Sequence, residues 1–201
     1  MEFVEPLRSL AAIDRVKKVL KARSVRDYTL FMLGIYTGLR ISDLLKLTVK
    51  DVTEREGRQG QRLVVRERIA LREKKTKKAK VILLNKDARS ALRVYLATWS
   101  PEPKDEDPLF LSSRRTDEGK PRAIGRWQAY QVLNRAAREA GIKDRIGTHT
   151  LRKTFGYWNY RRGFDIVKLQ QIFNHSSPAI TLHYIGFTQD EIDEAYTKIR
   201  Y

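Results

Sequence analysis

Tyr184 stands nine residues after His175, and both follow a His149-Thr150-Leu151-Arg152 cluster. A second arginine, Arg40, closes the run Thr37-Gly38-Leu39-Arg40 and is followed by Ile41-Ser42-Asp43. These residue types suit attack on a phosphodiester. The diester is anionic, and its pentacoordinate transition state gathers further charge on the non-bridging oxygens. The forked guanidinium donors of Arg40 and Arg152 can meet that charge. The imidazoles of His149 and His175 can hydrogen-bond the same oxygens or move protons near neutral pH. Tyr184 is the candidate nucleophile, which would give a phosphotyrosyl intermediate. A phenol ordinarily titrates near pH ~10, so it needs a base or neighbouring cations. The departing sugar alkoxide needs a proton, and a lysine of the run Lys74-Lys75-Thr76-Lys77-Lys78-Ala79-Lys80 can supply it.

Each signal has a plainer reading when taken alone. An arginine beside a glycine turn is commonly a surface residue, and a lysine run is commonly a solvated turn or a simple phosphate contact. Tyr157, Tyr160 and Tyr196 compete with Tyr184 and read as packing or surface aromatics. His183 reads as structural. The joint order of the residues, not any one of them, carries the chemical reading.

Helices must position most of this set. Leu10, Ile13, Val16, Val19 and Leu20 recur at helical spacing. A second helix is expected from the N-cap Ser24 through Tyr36, apolar nearly all round and therefore central, with Gly38 as its stop. A short third helix begins near Ser42. The period changes between Arg62 and Leu84, where Leu63–Val65, Ile69–Leu71 and Val81–Leu84 read as strands around a lysine-rich turn. Leu109 to Leu111 reads as one short extended piece. Helices are expected over about 87–99, 124–140, 150–162 and 166–173. Ser177-Pro178 places Tyr184 on a short helix, and Thr188-Gln189-Asp190-Glu191 is a capping box for a final helix to Arg200. The fold class is mainly α with a small antiparallel β-sheet, in a single domain over residues 1–201.

The chain has 201 residues, with 41 Lys and Arg against 24 Asp and Glu, a net charge of +17. Such an excess on one domain favours a polyanionic partner, foremost nucleic acid. There are no cysteines, which excludes disulfide frameworks and Cys-based metal sites and fits a cytoplasmic protein. The N-terminus carries no basic segment followed by an apolar stretch, so it does not read as a signal peptide. The longest apolar segment, Tyr28 to Leu39, is too short to span a bilayer. No membrane role is expected.

Four boxes together resemble the catalytic domain of the tyrosine recombinases, the phage-integrase family that includes the Xer resolvases. Thr37 to Leu44 resembles the first arginine box, with Asp43 three places after Arg40. The strands around Lys75-Thr76 resemble the hairpin that carries the catalytic lysine. Thr148 to Thr154 resembles the His-x-x-Arg box, and Asn174 to Ser177 with Thr181 to Tyr184 resembles the closing His-to-Tyr box. The resemblance runs from about Asp14 to Tyr184. It implies that Arg40, Arg152, His149 and His175 surround the scissile phosphate, that Tyr184 attacks it to leave a 3′-phosphotyrosyl link, and that Lys75 is the general acid, with Lys74 and Lys77 as near alternatives. His149 would assist proton transfer, His175 would bind phosphate, and Asp43 would support Arg40. Lys74, Lys77, Lys78, Lys80 and Lys153 are expected to contact DNA. No cofactor and no metal are implied.

Members of that family usually carry an N-terminal core-binding clamp domain; it is expected to be absent here, either because the chain is a natural short form or because it is a fragment. Double-stranded DNA is the expected partner, with self-association on DNA and an accessory DNA-binding protein as further partners. The segment 188–201 is expected to dock as a helix, in cis or on a neighbouring subunit. The expected activity is site-specific DNA recombination in integration or excision of a mobile element. A catalytically silent DNA-binding regulator is the alternative, and a topoisomerase-like relaxing activity is a third reading.

Overall fold

The computed structural model describes residues 4–57 and 62–187, with Asp193, Tyr196 and Thr197 beyond them. Among the described residues the chain forms helices α1 (Leu10–Arg23), α2 (Val25–Thr37), α3 (Ile41–Leu44) and α4 (Val49–Val52), then strands β1 (Thr53–Glu56), β2 (Arg62–Val65), β3 (Arg68–Arg72) and β4 (Ala79–Leu83). Helices α5 (Lys86–Leu96), α6 (Arg126–Glu139), α7 (Thr148–Arg161), α8 (Ile166–Phe173) and α9 (Pro178–Ile185) follow. Most of the capped segment expected from Thr188 to Arg200 lies outside the described residues.

Helix α2 is the central element, as its all-round apolar sequence requires. The Ser24 hydroxyl accepts from the Asp27 N–H at its start, and Gly38 ends it in the left-handed region at φ 62°. A side chain at Gly38 would also strike the Phe155 ring, whose nearest atom lies 2.5 Å from the ideal Cβ position. Glycine therefore serves both the turn and the approach of α7. One side of α2 gives Leu30 and Leu33 to a core shared with Leu44, Ile69, Leu92, Leu109 and Phe110. The other side gives Phe31, Met32 and Ile35 to a core shared with Val16, Leu20, Leu133 and Leu151. Leu33 is 0% exposed, so its truncation to alanine removes transfer energy and leaves a cavity, a cost of about 2–5 kcal/mol.

The strands form two two-stranded antiparallel sheets, β1 with β2 and β3 with β4. The sequence reading leaves β1 unassigned because Thr-Glu-Arg-Glu shows no apolar alternation. Its pairing with β2, Thr53 opposite Val65, supplies the order that its side chains do not advertise. Arg68 pairs with Leu83 and Arg72 with Ala79, which leaves Glu73 to Lys78 as the turn of the second hairpin. Leu111 makes only an isolated bridge, to Ala123. The short helix α4, also absent from the sequence reading, is stabilised by Asp51, which accepts from both the backbone N–H and the hydroxyl of Thr48.

Helices α7, α8 and α9 then fold against one another through a second close approach. Gly156 on α7 faces Ile185 and Phe173, which lie 2.6 and 2.7 Å from where its Cβ would be. That contact fixes the end of α9, and so the helix that carries Tyr184.

A basic pocket around Tyr184 as the candidate active site

Five of the expected residues converge. Tyr184 projects from the last turn of α9, whose start is fixed by the Ser177 hydroxyl accepting from the Ile180 N–H, with Pro178 at the first turn. His149 lies in the first turn of α7, and its Nδ1 is 3.3 Å from Tyr184 Oη. The His175 ring lies edge-on to the Tyr184 ring, with centroids 4.9 Å apart. Arg152, one turn after His149, is 2% exposed. It donates from Nη1 to the Gly38 carbonyl at 2.6 Å and from Nη2 to the Phe173 carbonyl at 2.9 Å. Its guanidinium also sits 4.4 Å from the centroid of the Phe173 ring. Arg40 caps α3 and donates from Nη2 to the same Phe173 carbonyl at 3.3 Å.

The C-terminus of α8 is the feature that gathers the cations. Its last carbonyls lack intrahelical partners and carry the negative end of the helix dipole. Asn174 follows them in the left-handed region at φ 53°. The Phe173 carbonyl takes both arginines, and the Ile172 carbonyl accepts from Lys80 Nζ at 2.6 Å. Three positive side chains are thereby gathered at one helix end, with the buried Glu73 carboxylate beside Arg40 and Lys80 as their counter-charge.

The electrostatics follow from that crowding. Burial, with help from Arg152, Arg40 and Lys75, pushes His175 down to about 4. Burial together with Arg126, Arg152, Lys153 and Arg40 also lowers His149 from its ordinary value of 6.5. Both imidazoles are therefore neutral at pH 7 in the DNA-free protein. Burial raises Tyr184 above 10.0, against the lowering pull of Arg152 and Arg40. The phenol is protonated, and a neutral imidazole stands within reach of its hydrogen. His175 is oriented from behind, with Nδ1 3.1 Å from the hydroxyl of the fully buried Thr181. That hydroxyl also donates to the Ser177 carbonyl at 3.2 Å.

The lysines divide in a way the sequence does not announce. Lys75 is exposed on the hairpin turn, near enough to His175 to lower its pKa. Lys74, Lys77 and Lys78 are exposed on the same turn. Lys80, on β4, instead points into the pocket, where burial and Arg152 bring its ammonium down to about 8. Lys153 is 4% exposed, and its ammonium lies 5.4 Å from the centroid of the Tyr184 ring, below the nucleophile and away from the outer surface. Asp43, 4% exposed, accepts from the backbone N–H of Lys74 at 2.9 Å and so ties α3 to the hairpin turn.

Four contributors are given no role by the sequence alone. Glu73 is 0% exposed and pairs with Arg40 at 3.0 Å. Thr181 orients His175 and Arg126 lowers the His149 pKa, while Asn174 donates from Nδ2 to Glu73 at 2.8 Å. The only available signal for Glu73 is that it is a lone acid between Arg72 and the lysine run that begins at Lys74. His183 is exposed.

Comparison with known proteins identifies the family and the fold. Residues 6–191 match the model of the phage integrase family. The probable integrase/recombinase YoeC of Bacillus subtilis is 43% identical over 196 residues, covering 98% of this chain and 97% of that protein. The tyrosine recombinase XerA of Pyrococcus furiosus is 27% identical over 91% of this chain and 58% of its own length. A crystal structure of XerA recombinase superposes with a TM-score of 0.74 at 25% identity, covering 100% of this chain and 66% of that one. The structure of XerH bound to palindromic difH substrate, a post-cleavage complex, shares the fold at a TM-score of 0.68 and 21% identity, covering 92% of this chain and 50% of that one. The chain thus spans nearly all of the Bacillus relative and under two thirds of the Xer proteins. No helix among the described residues is long and apolar enough to cross a membrane.

Proposed function

The chain belongs to the phage integrase family of tyrosine recombinases, enzymes that cut and rejoin DNA strands, and we propose that it does so through a 3′-phosphotyrosyl intermediate on Tyr184. The approach of His149 Nδ1 to the phenolic oxygen carries this reading. Arg40 and Arg152 would hold the non-bridging oxygens of the scissile phosphate, with their positions already fixed by the end of α8. Preorganised donors of this kind act before the charge develops and need no rearrangement at the moment of reaction. The Tyr184 proton would pass to neutral His149 as Oη bonds to phosphorus. The P–O5′ bond would break, and a lysine would return a proton to the leaving oxygen, giving a free 5′-hydroxyl. Religation runs the same steps backward with a 5′-hydroxyl as nucleophile, so no external energy source is needed.

Lys75 is the proposed general acid, placed on a turn beside His175 where an entering duplex would meet it. The exposed Lys74, Lys77 and Lys78 would contact backbone phosphates, and affinity should fall steeply with salt as counterions are released. Lys80 and Lys153 would add positive charge to the pocket from behind. The substrate is double-stranded DNA, the biological role is integration or excision of a mobile element, and the setting is the cytoplasm. Self-association on DNA and an accessory DNA-binding protein belong to the same proposal. Asp43 would steady Arg40 indirectly, through the turn it holds.

The alternative of a silent DNA-binding regulator is disfavoured by one observation. The phenol, both histidines and both arginines are assembled in reacting order, which a regulator has no need of. The test is covalent trapping. The protein is incubated in EDTA with a supercoiled plasmid carrying the DNA that flanks its own gene, then denatured with SDS. A protein–DNA adduct in the wild type, absent from Tyr184→Phe and present in Tyr157→Phe and Tyr160→Phe, supports the enzyme. A protein that binds this DNA and never forms an adduct is a regulator.

A further inference from the structure

The proposed chemistry has no use for a carboxylate, yet one is buried at its centre. Glu73 Oε2 accepts from the Thr76 hydroxyl at 2.7 Å and from Asn174 Nδ2 at 2.8 Å. The same oxygen lies 3.0 Å from Arg40 Nη1, and Oε1 lies 3.7 Å from Lys80 Nζ. These partners come from different parts of the chain. Thr76 belongs to the hairpin turn and directly follows Lys75. Asn174 is the left-handed residue after α8 and directly precedes His175. Arg40 enters from the start of α3.

The side on which the carboxylate stands is informative. Arg40 Nη1, Glu73 Oε1 and Asp43 Oδ2 are all shielded from solvent with incomplete hydrogen bonding, and the first two meet their counter-charges as ion pairs. The Arg40 Nη1 edge therefore faces inward, toward Glu73, and Nη2 also donates to the Phe173 carbonyl. Only the part of the guanidinium that stays exposed can meet a ligand arriving from solvent. Glu73, 0% exposed, thus lies on the protein side of Arg40. Burial alone would raise the Glu73 pKa, but Thr76, Lys80 and Arg40 together hold it below 4.5, so the group is anionic. Unsatisfied buried polar atoms are uncommon, and their concentration at one site points to function in place of packing.

We infer that Glu73 is a positioning residue for strand cleavage: a single buried carboxylate sets the direction of Arg40 and fastens the lysine-bearing turn to the chain entering His175. The inference rests on the strand-cleavage reading above. Through Arg40 it would govern how the phosphate is held. Through Thr76 it would govern where Lys75 stands. Through Asn174 it would keep His175 in register with both. Its charge would also retain the proton on Lys80, which burial, Arg152 and Arg40 work to remove.

The test compares Glu73→Gln, Glu73→Asp, Thr76→Val and Asn174→Gly with the wild type. Glutamine keeps the shape and discards the charge, and glycine keeps the left-handed backbone at residue 174 while removing the amide. The readouts are the single-turnover rate of covalent adduct formation on the flanking-DNA plasmid, its pH profile, the affinity for the same plasmid, and the melting temperature. Glu73→Gln should cleave about tenfold or more slowly, because small misplacement of reacting groups is costly. Its plasmid affinity should stay within about threefold, since the exposed phosphate contacts are untouched. The alkaline limb of its pH profile should move to lower pH, and Glu73→Asp should move it back. Asn174→Gly and Thr76→Val should each slow cleavage with less effect. Wild-type rates in Glu73→Gln, or a loss matched by lost folding or affinity with an unchanged pH profile, overturns the inference. If Glu73→Gln does not fold, a wild-type rate in Asn174→Gly overturns it alone. A wild type that forms no adduct removes the cleavage reading itself, an outcome distinct from a change confined to the variants.

Discussion

His149 Nδ1 and Tyr184 Oη lie 3.3 Å apart, although 35 residues separate them in the chain. The contact joins the first turn of α7 to the last turn of α9, and the α9 end is set by packing at Gly156. It pairs a phenol made less acidic by burial with an imidazole made less basic by burial and by surrounding cations. A neutral base at neutral pH is the useful result.

His149→Ala should therefore slow adduct formation by about 10²–10⁴-fold, the usual contribution of a general base. In the wild type the rate should fall as pH drops through the His149 pKa, which lies below 6.5 in the DNA-free protein. Only the neutral ring accepts the phenolic proton. A single-turnover pH profile checks both, and its acid limb should vanish in His149→Ala.

The roles of the two pocket-side lysines can be separated by the leaving group. A DNA substrate with sulfur in place of the bridging 5′-oxygen departs as a thiolate and needs no proton. Lys75→Ala should cleave ordinary DNA about 10²–10⁴-fold slowly and recover most of that loss on the sulfur substrate. Lys80→Ala, which removes charge without removing the acid, should be impaired on both substrates alike. Recovery by Lys80→Ala and not by Lys75→Ala would move the general acid to β4.

Gly156→Ala should destabilise the fold by about 1–3 kcal/mol, the range for overpacking a filled site. The added methyl meets Ile185 and Phe173, so α9 and the end of α8 must shift together. Chemical denaturation measures the first effect. Adduct formation should fall by more than the folded fraction explains, because both Tyr184 and the arginine-holding carbonyl are displaced.

Acid should weaken the DNA-free protein through His175. An unfolded chain protonates this ring below about 6.5, and the folded chain does so only near 4. The unfolded state therefore binds more protons in that window, and stability present above pH 6.5 is lost as pH falls toward 4. Denaturation midpoints at pH 7 and pH 5 should differ less in His175→Gln than in the wild type.

Much of this site was legible in the sequence, and what was missed shares a cause. Arg40, His149, Arg152, His175 and Tyr184 have residue types that only their order explains. The caps at Ser24, Gly38 and Ser177 likewise declare themselves locally. Glu73 does not, because its role depends on burial beneath a turn that reads as solvated. Lys80 and Lys153 look like surface cations until packing turns them inward. The strand β1 depends on its partner and shows no alternation of its own. Local chemistry was readable, whereas the direction in which a charged side chain points was set by tertiary contacts.

The most direct test of the central claim is to identify the covalent linkage. Adduct formed in EDTA is trimmed with nuclease and the peptides are examined by mass spectrometry. A nucleotide joined through its 3′-phosphate to the phenolic oxygen of Tyr184, with a free 5′-hydroxyl on the severed strand, is the predicted result. A nucleotide on any other side chain, or attachment through a 5′-phosphate, would contradict it.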